Sequence, residues 1–173
     1  SSRFIEIDKV ISITESIKNN LEIFLVFVNK GQEFVQECLD RIPQAIPQFH
    51  GDETPEFCNK FTNGFVKAIR VTEETNFEKI NSDYSDAKML LLDSHELGSY
   101  GGTGKSFNWD LIKNPLKIPF LLAGGIDTMN VERALSLVPC KGIDVSTGVE
   151  SALGTKDPAK VRNLINIVRR FDV

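Results

Sequence analysis

Residues 118–149 read IPFLLAGGIDTMNVERALSLVPCKGIDVSTGV, and the fold is decided here. An apolar run, Ile118–Ala123, stops at the tandem glycines Gly124 and Gly125. Val131, Ala134, Leu135 and Val138 then recur at i, i+3, i+4 and i+7, the spacing of one helix face. A second run, Gly142–Val145, ends at Ser146-Thr147-Gly148. Strand, glycine turn, helix, strand is a βαβ unit. Apolar side chains on consecutive rather than alternating positions indicate strands covered on both faces, as in parallel sheets.

Working toward the N-terminus, the same rhythm repeats. Ile23–Val28, a weaker Ala45–Phe49, Phe65–Val71 and Lys88–Leu92 read as strands, which makes six in all. Val10, Ile13 and Ile17 predict a helix beginning near Asp8. Phe34, Val35, Cys38 and Leu39 predict a second, and Phe77 with Ile80 a short one. Val161, Leu164, Ile165 and Val168 predict a last helix. Thr54-Pro55 and Asp157-Pro158 each set a capping oxygen before a proline suited to a first helical turn. The class is α/β. Two architectures fit the rhythm, an open doubly wound sheet and a (β/α)8 barrel; the barrel needs two strands more than these six, and the sequence opens on a helix.

Composition bounds the function. The 173 residues, 41% hydrophobic and 25% charged, suit one globular domain over 1–173. Twenty basic against 24 acidic side chains leave a net charge of -4 without a basic block, so nucleic acid is not an expected partner. No apolar run approaches the roughly 20 residues that cross a bilayer, and the opening Ser1-Ser2-Arg3-Phe4 has no secretory pattern. Cys38, Cys58 and Cys140 are odd in number and set among apolar neighbours, which reads as reduced thiols filling a core in the cytoplasm.

In parallel α/β proteins the site gathers where strands end. Asp93 ends the fourth run, and a carboxylate beside low-dielectric walls is suited to donating a proton near neutral pH; a helix cap or loop anchor is the other use of that position. The turns Ala123-Gly-Gly-Ile126 and Val145-Ser-Thr-Gly-Val149 lie in consecutive units, where main-chain N–H groups can converge on a phosphate; glycine for a tight turn alone is the plainer account. A small phosphorylated substrate is expected. The stretch from Asp93 to Phe107, rich in glycine, is long enough for a lid. Gly104-Lys105-Ser106 is not a P-loop, since Ser99 stands where that motif needs its first glycine. Asp144 lies inside its run, where a structural hydrogen bond is expected. His50, after the second run, is a candidate for substrate contact or a structural histidine. Two histidines and no ligand-spaced cluster point to neither metal nor cofactor.

Four segments go further. Leu90-Leu-Leu-Asp-Ser94, Tyr100-Gly-Gly-Thr-Gly104 with Phe107-Asn-Trp109, Leu122-Ala-Gly-Gly-Ile126 with Asn130-Val131, and Ile143-Asp-Val-Ser-Thr-Gly-Val-Glu150 with Gly154-Thr-Lys-Asp157 resemble phosphoribosylanthranilate isomerase in order and spacing. Val26-Phe-Val-Asn29 and Gln48-Phe-His-Gly-Asp-Glu53 resemble that family's third and fourth strands, so the likeness spans nearly the whole chain.

The resemblance implies a (β/α)8 TIM barrel and the Amadori rearrangement of N-(5-phosphoribosyl)anthranilate in tryptophan biosynthesis, without a cofactor and as a monomer or homodimer. It implies Asp93 as the general acid on the furanose ring oxygen, and Arg3 as the partner of the anthranilate carboxylate, a pairing that suits a planar guanidinium. Gly102, Gly125, Ser146, Thr147 and Gly148 fall where members of the family grip phosphate. The family's Lys-Ile-Cys-Gly strand, whose cysteine removes the C2 proton, has no counterpart here. The match begins just after the family's second strand, so the natural protein is expected to carry the β1-α1-β2 portion in roughly 30 further residues. Other phosphate-binding barrels, such as a tryptophan synthase α-type lyase or a sugar-phosphate epimerase, would share the glycine turns. A non-catalytic phosphate-binding protein is the reading if nothing precedes Ser1.

Overall fold

A computed structural model describes residues 4–17, 21–93, 109–112 and 116–171. Among the described residues, six helices and the six strands of the main sheet follow one another: α1 (Ile7–Ser16), β1 (Ile23–Phe27), α2 (Gln32–Arg41), β2 (Ala45–Phe49), α3 (Pro55–Cys58), β3 (Val66–Arg70), α4 (Phe77–Asp83), β4 (Met89–Asp93), β5 (Phe120–Leu122), α5 (Val131–Leu137) and β6 (Gly142–Ile143), with α6 (Pro158–Val168) closing the series. They alternate except between β4 and β5. A two-stranded antiparallel hairpin, β7 (Glu150–Ala152) and β8 (Thr155–Lys156), stands between β6 and α6.

All six runs read from the sequence form strands: β2 keeps the bounds read for it, β4 is shifted by one residue to include Asp93, and the other four are shorter by one to three residues. The trimmed ends still bond across the sheet: Lys88 N–H donates to Phe65 O at 2.9 Å and Val71 N–H to Asp93 O at 3.0 Å. The two proline caps are made as expected. Thr54 Oγ1 accepts from Phe57 N–H at 3.3 Å, and Asp157 Oδ1 from Ala159 and Lys160 N–H at 2.8 and 3.2 Å.

Every pairing in the main sheet is parallel, and the spatial order β1-β2-β3-β4-β5-β6 is the sequence order. This rules out the doubly wound alternative, which reverses its order at a switch point and places helices on both faces. Here apolar residues of all six helices join one cluster with Phe27, Phe49, Leu90, Leu92, Phe120 and Leu122. The other face of the strands carries a separate, smaller cluster of Ile46, Val66, Leu91 and Ala123, with Phe24, Ala68, Met89 and Leu121 against it. Leu90, Leu91 and Leu92 are all at 0% exposure, although neighbouring residues of a strand point to opposite faces. Both faces are therefore dry there, which is why β4 is apolar up to Asp93.

Candidate active site

Register brings the candidate residues to one end of the sheet. Arg70 pairs with Asp93 across β3 and β4, and Leu92 with Leu122 and Leu122 with Ile143 across the next two ladders. One residue further, Ala123 N–H donates to Leu92 O at 2.8 Å and Asp144 N–H to Leu122 O at 2.9 Å. Arg70, Asp93, Ala123 and Asp144 thus form a row at the carboxyl ends of four strands. By the period of two they share the face of Leu91, opposite the helices.

Asp93 and His50 line the same cavity, about 410 Å³, with Gly51, Asp52, Lys67 and Arg70 among its walls. His50 continues β2 through a hydrogen bond from its N–H to Phe27 O at 2.8 Å, and its ring Nε2 meets the Gln48 amide at 2.7 Å.

The two glycine turns meet. Gly124 and Gly125 both have positive φ, 83° and 64°, a left-handed conformation that favours glycine. A Cβ on Gly148 would lie 2.1 Å from Ile126 O, so the second turn packs directly on the first. Asn130 braces the first turn: its Nδ2 donates to Gly125 O at 2.8 Å and its Oδ1 accepts from Asp127 N–H at 3.0 Å. Lys156, on β8, holds the second turn by donating to Ser146 O at 2.8 Å and Ser146 Oγ at 3.2 Å. Thr147 opens the 3-10 turn Thr147–Val149.

The structure therefore gathers Asp93 with His50 on one side of the row, and Gly125 with Ser146, Thr147 and Gly148 on the other. Arg3, Gly102 and the lid read over residues 94–106 lie outside the described residues.

Asp144 departs from its expected role. No side-chain hydrogen bond of its carboxylate is found among the described residues. Although Asp144 is itself exposed, desolvation by the protein around it raises its pKa, the negative charge of Asp93 raises it further, and Lys156 opposes both. This coupling puts Asp144 electrostatically beside Asp93, a relation that a sequence position inside an apolar run does not disclose.

The sequence reading also passed over Lys67 and Glu53, two charges in the cavity wall at 3% and 6% exposure. Burial pushes the Lys67 ammonium below its ordinary value and Glu53 pulls it back. The one available signal was a lysine inside the apolar run Phe65–Val71.

Burial raises all three thiols, Cys58 to about 12. None pairs in a disulfide. Cys38 and Cys58 sit on helices and Cys140 precedes β6, away from the row. Among the described residues, no three His, Cys, Asp or Glu side chains converge as metal ligands, and no helix is long and apolar enough to cross a membrane.

A parallel sheet wound in sequence order, with an acid and two braced glycine turns at its carboxyl end, defines an α/β protein with its candidate site at the strand ends. Comparison with known proteins is specific. A sequence model of N-(5'-phosphoribosyl)anthranilate isomerase matches residues 1–167. The N-(5'-phosphoribosyl)anthranilate isomerase of Neisseria meningitidis is 36% identical over 171 residues, covering 99% of this chain and 82% of its own; that of Legionella pneumophila is 34% identical over 168 residues, covering 97% and 81%. Among solved structures, the enzyme of Thermotoga maritima superposes with a TM-score of 0.88 at 29% identity, covering 98% of this chain and 83% of that one. Another, in complex with reduced 1-(o-carboxyphenylamino)-1-deoxyribulose 5-phosphate, gives 0.84 at 26% identity, covering 98% and 82%. The chain belongs to the N-(5'-phosphoribosyl)anthranilate isomerase family, and that membership makes it an isomerase.

Proposed function

We propose that this chain catalyses the Amadori rearrangement of N-(5'-phosphoribosyl)anthranilate to 1-(2-carboxyphenylamino)-1-deoxyribulose 5-phosphate in tryptophan biosynthesis, with Asp93 as the general acid. The observation that supports it is the row Arg70, Asp93, Ala123, Asp144, which sets a carboxylate on the same strand ends as two interlocked glycine turns.

In this reading Asp93 gives its proton to the furanose ring oxygen as the bond from that oxygen to C1 breaks, and the aminal nitrogen supplies the electron pair that forms the iminium. Loss of the C2 proton then gives an enolamine, which tautomerises to the ketone. None of the three cysteines is assigned to that second step, since all lie off the row and all are held protonated by burial. The main-chain N–H groups around Gly125, Ser146, Thr147 and Gly148 hold the phosphate, with Lys156, itself paired with Glu150 Oε1 at 2.9 Å, bracing Ser146. His50 contacts the sugar or the anthranilate from the cavity wall, Gly102 closes on the phosphate and Arg3 pairs with the carboxylate. The reading needs no cofactor.

The six strands are read as strands three to eight of a (β/α)8 barrel in a single domain over 1–173. Winding in sequence order and helices on one face support this. Reduced thiols support a cytoplasmic location, and a monomer or homodimer is the expected assembly.

Asp93→Asn tests the mechanism. It keeps the size of the side chain and removes its acid, so turnover should fall by about 10²–10⁴ with the fold intact. Near-normal kcat in a folded variant would remove Asp93 from the reaction.

A further inference from the structure

Glu53 and Lys67 face each other with side chains 3% and 4% exposed, Lys67 Nζ standing 3.4 Å from Glu53 Oε2. Taking two charges out of water is costly, and an apolar pair of similar volume often serves stability equally well or better. Stability alone is therefore a weak reason for a buried pair of charges, and their hydrogen bonds show what they hold.

Those bonds converge on the main chain of one turn. Glu53 Oε1 accepts from Asn29 N–H at 2.7 Å, and Oε2 from Gly51 N–H at 2.8 Å. Lys67 Nζ donates to Gly51 O at 2.7 Å, Ala68 O at 3.2 Å and Phe49 O at 3.3 Å. Both polar groups of the Gly51 backbone are thus held, as is the carbonyl of the residue before His50.

The rest of the turn is fixed from β1. Asn29, in a left-handed conformation at φ 52°, accepts from Asp52 N–H through Oδ1 at 2.7 Å. A Cβ on Gly51 would lie 2.2 Å from that same Oδ1, so only glycine fits. The three hydrogens of the Lys67 ammonium already face four protein oxygens within 3.4 Å, which leaves none for a ligand.

We infer that the buried Glu53–Lys67 pair is a positioning device: it clamps the Phe49–Asp52 turn so that His50 is presented to the cavity that also contains Asp93. Lys67 and Glu53 act through His50 rather than on the substrate. The inference rests on the preceding reading of this cavity as the substrate site.

A double-mutant cycle tests it, with steady-state constants and the affinity for reduced 1-(o-carboxyphenylamino)-1-deoxyribulose 5-phosphate as readouts. His50→Ala and Lys67→Met should each raise KM and the dissociation constant by roughly ten- to a hundredfold, the scale of a misplaced contact, with kcat changed far less. The double variant should bind no worse than the weaker single one. A purely structural pair would lower the melting temperature yet leave these constants unmoved below it. Multiplicative losses in the double variant, or wild-type affinity in Lys67→Met, would overturn the inference. If Lys67→Met does not fold, Glu53→Gln, which keeps shape and loses charge, takes its place in the same cycle with the same criteria. Asp93→Asn, run alongside, separates the two levels. Full turnover there sinks the site reading, whereas an inactive Asp93→Asn beside a multiplicative cycle sinks only the clamp.

Discussion

Gly148 illustrates how much of the site is set by single atoms. With Ile126 O where its Cβ would be, any larger residue must push the two glycine turns apart. Gly148→Ala should therefore weaken binding of inorganic phosphate by about tenfold or more, the penalty of an ångström-scale shift in a preorganised cradle. Titration calorimetry measures it, and unchanged affinity would mean that the cradle is not where phosphate binds. Position 148 was legible as a candidate because glycines after two successive strands are a local pattern. Lys67 and Glu53 were not, since 14 residues separate them and only the folded register of β2 and β3 brings them together. Asp144 was seen, but its relation to Asp93 crosses two ladders and no local pattern encodes it.

At the scale of elements, β2 shows why one run read weakly and still forms a buried strand. Pro47 has no N–H to offer, yet β2 pairs with β1 over five residues, and its ladder to β3 runs only through Gln48 and Phe49. Packing on both faces makes up for the short ladder, with all five residues buried. The hairpin β7–β8 escaped the sequence reading because two strands of three and two residues leave no periodicity to detect. Helix α6 was visible from its apolar stripe and its cap. The Lys160 and Ala159 N–H groups hold the Asp157 carboxyl below the usual carboxylate range. A carboxyl so lowered stabilises the fold at pH above its ordinary value, and that contribution disappears as pH falls through the lowered one. Asp157→Ala should lower the melting temperature at neutral pH, with the gap to the wild type closing in acid. A gap independent of pH would show that the charge at this cap contributes nothing.

For the whole molecule, the choice between an open doubly wound sheet and barrel-type winding could not be made by counting runs, because both use the same βαβ rhythm. Strand order and the side on which helices pack made it, and neither is a local property of sequence. Sequential winding also explains the site: adjacent strands in space are adjacent in the chain, so Asp93, Ala123 and Asp144, each ending one unit, fall side by side. Without that order the acid and the glycine turns would be strangers.

A crystal structure of the protein with reduced 1-(o-carboxyphenylamino)-1-deoxyribulose 5-phosphate tests this arrangement most directly. The account predicts the phosphate within hydrogen-bond distance of main-chain N–H groups of both the Gly125 and the Ser146–Gly148 turns, with the sugar reaching the Asp93 carboxyl. A ligand whose phosphate rests elsewhere, or whose sugar lies out of reach of Asp93, would contradict it.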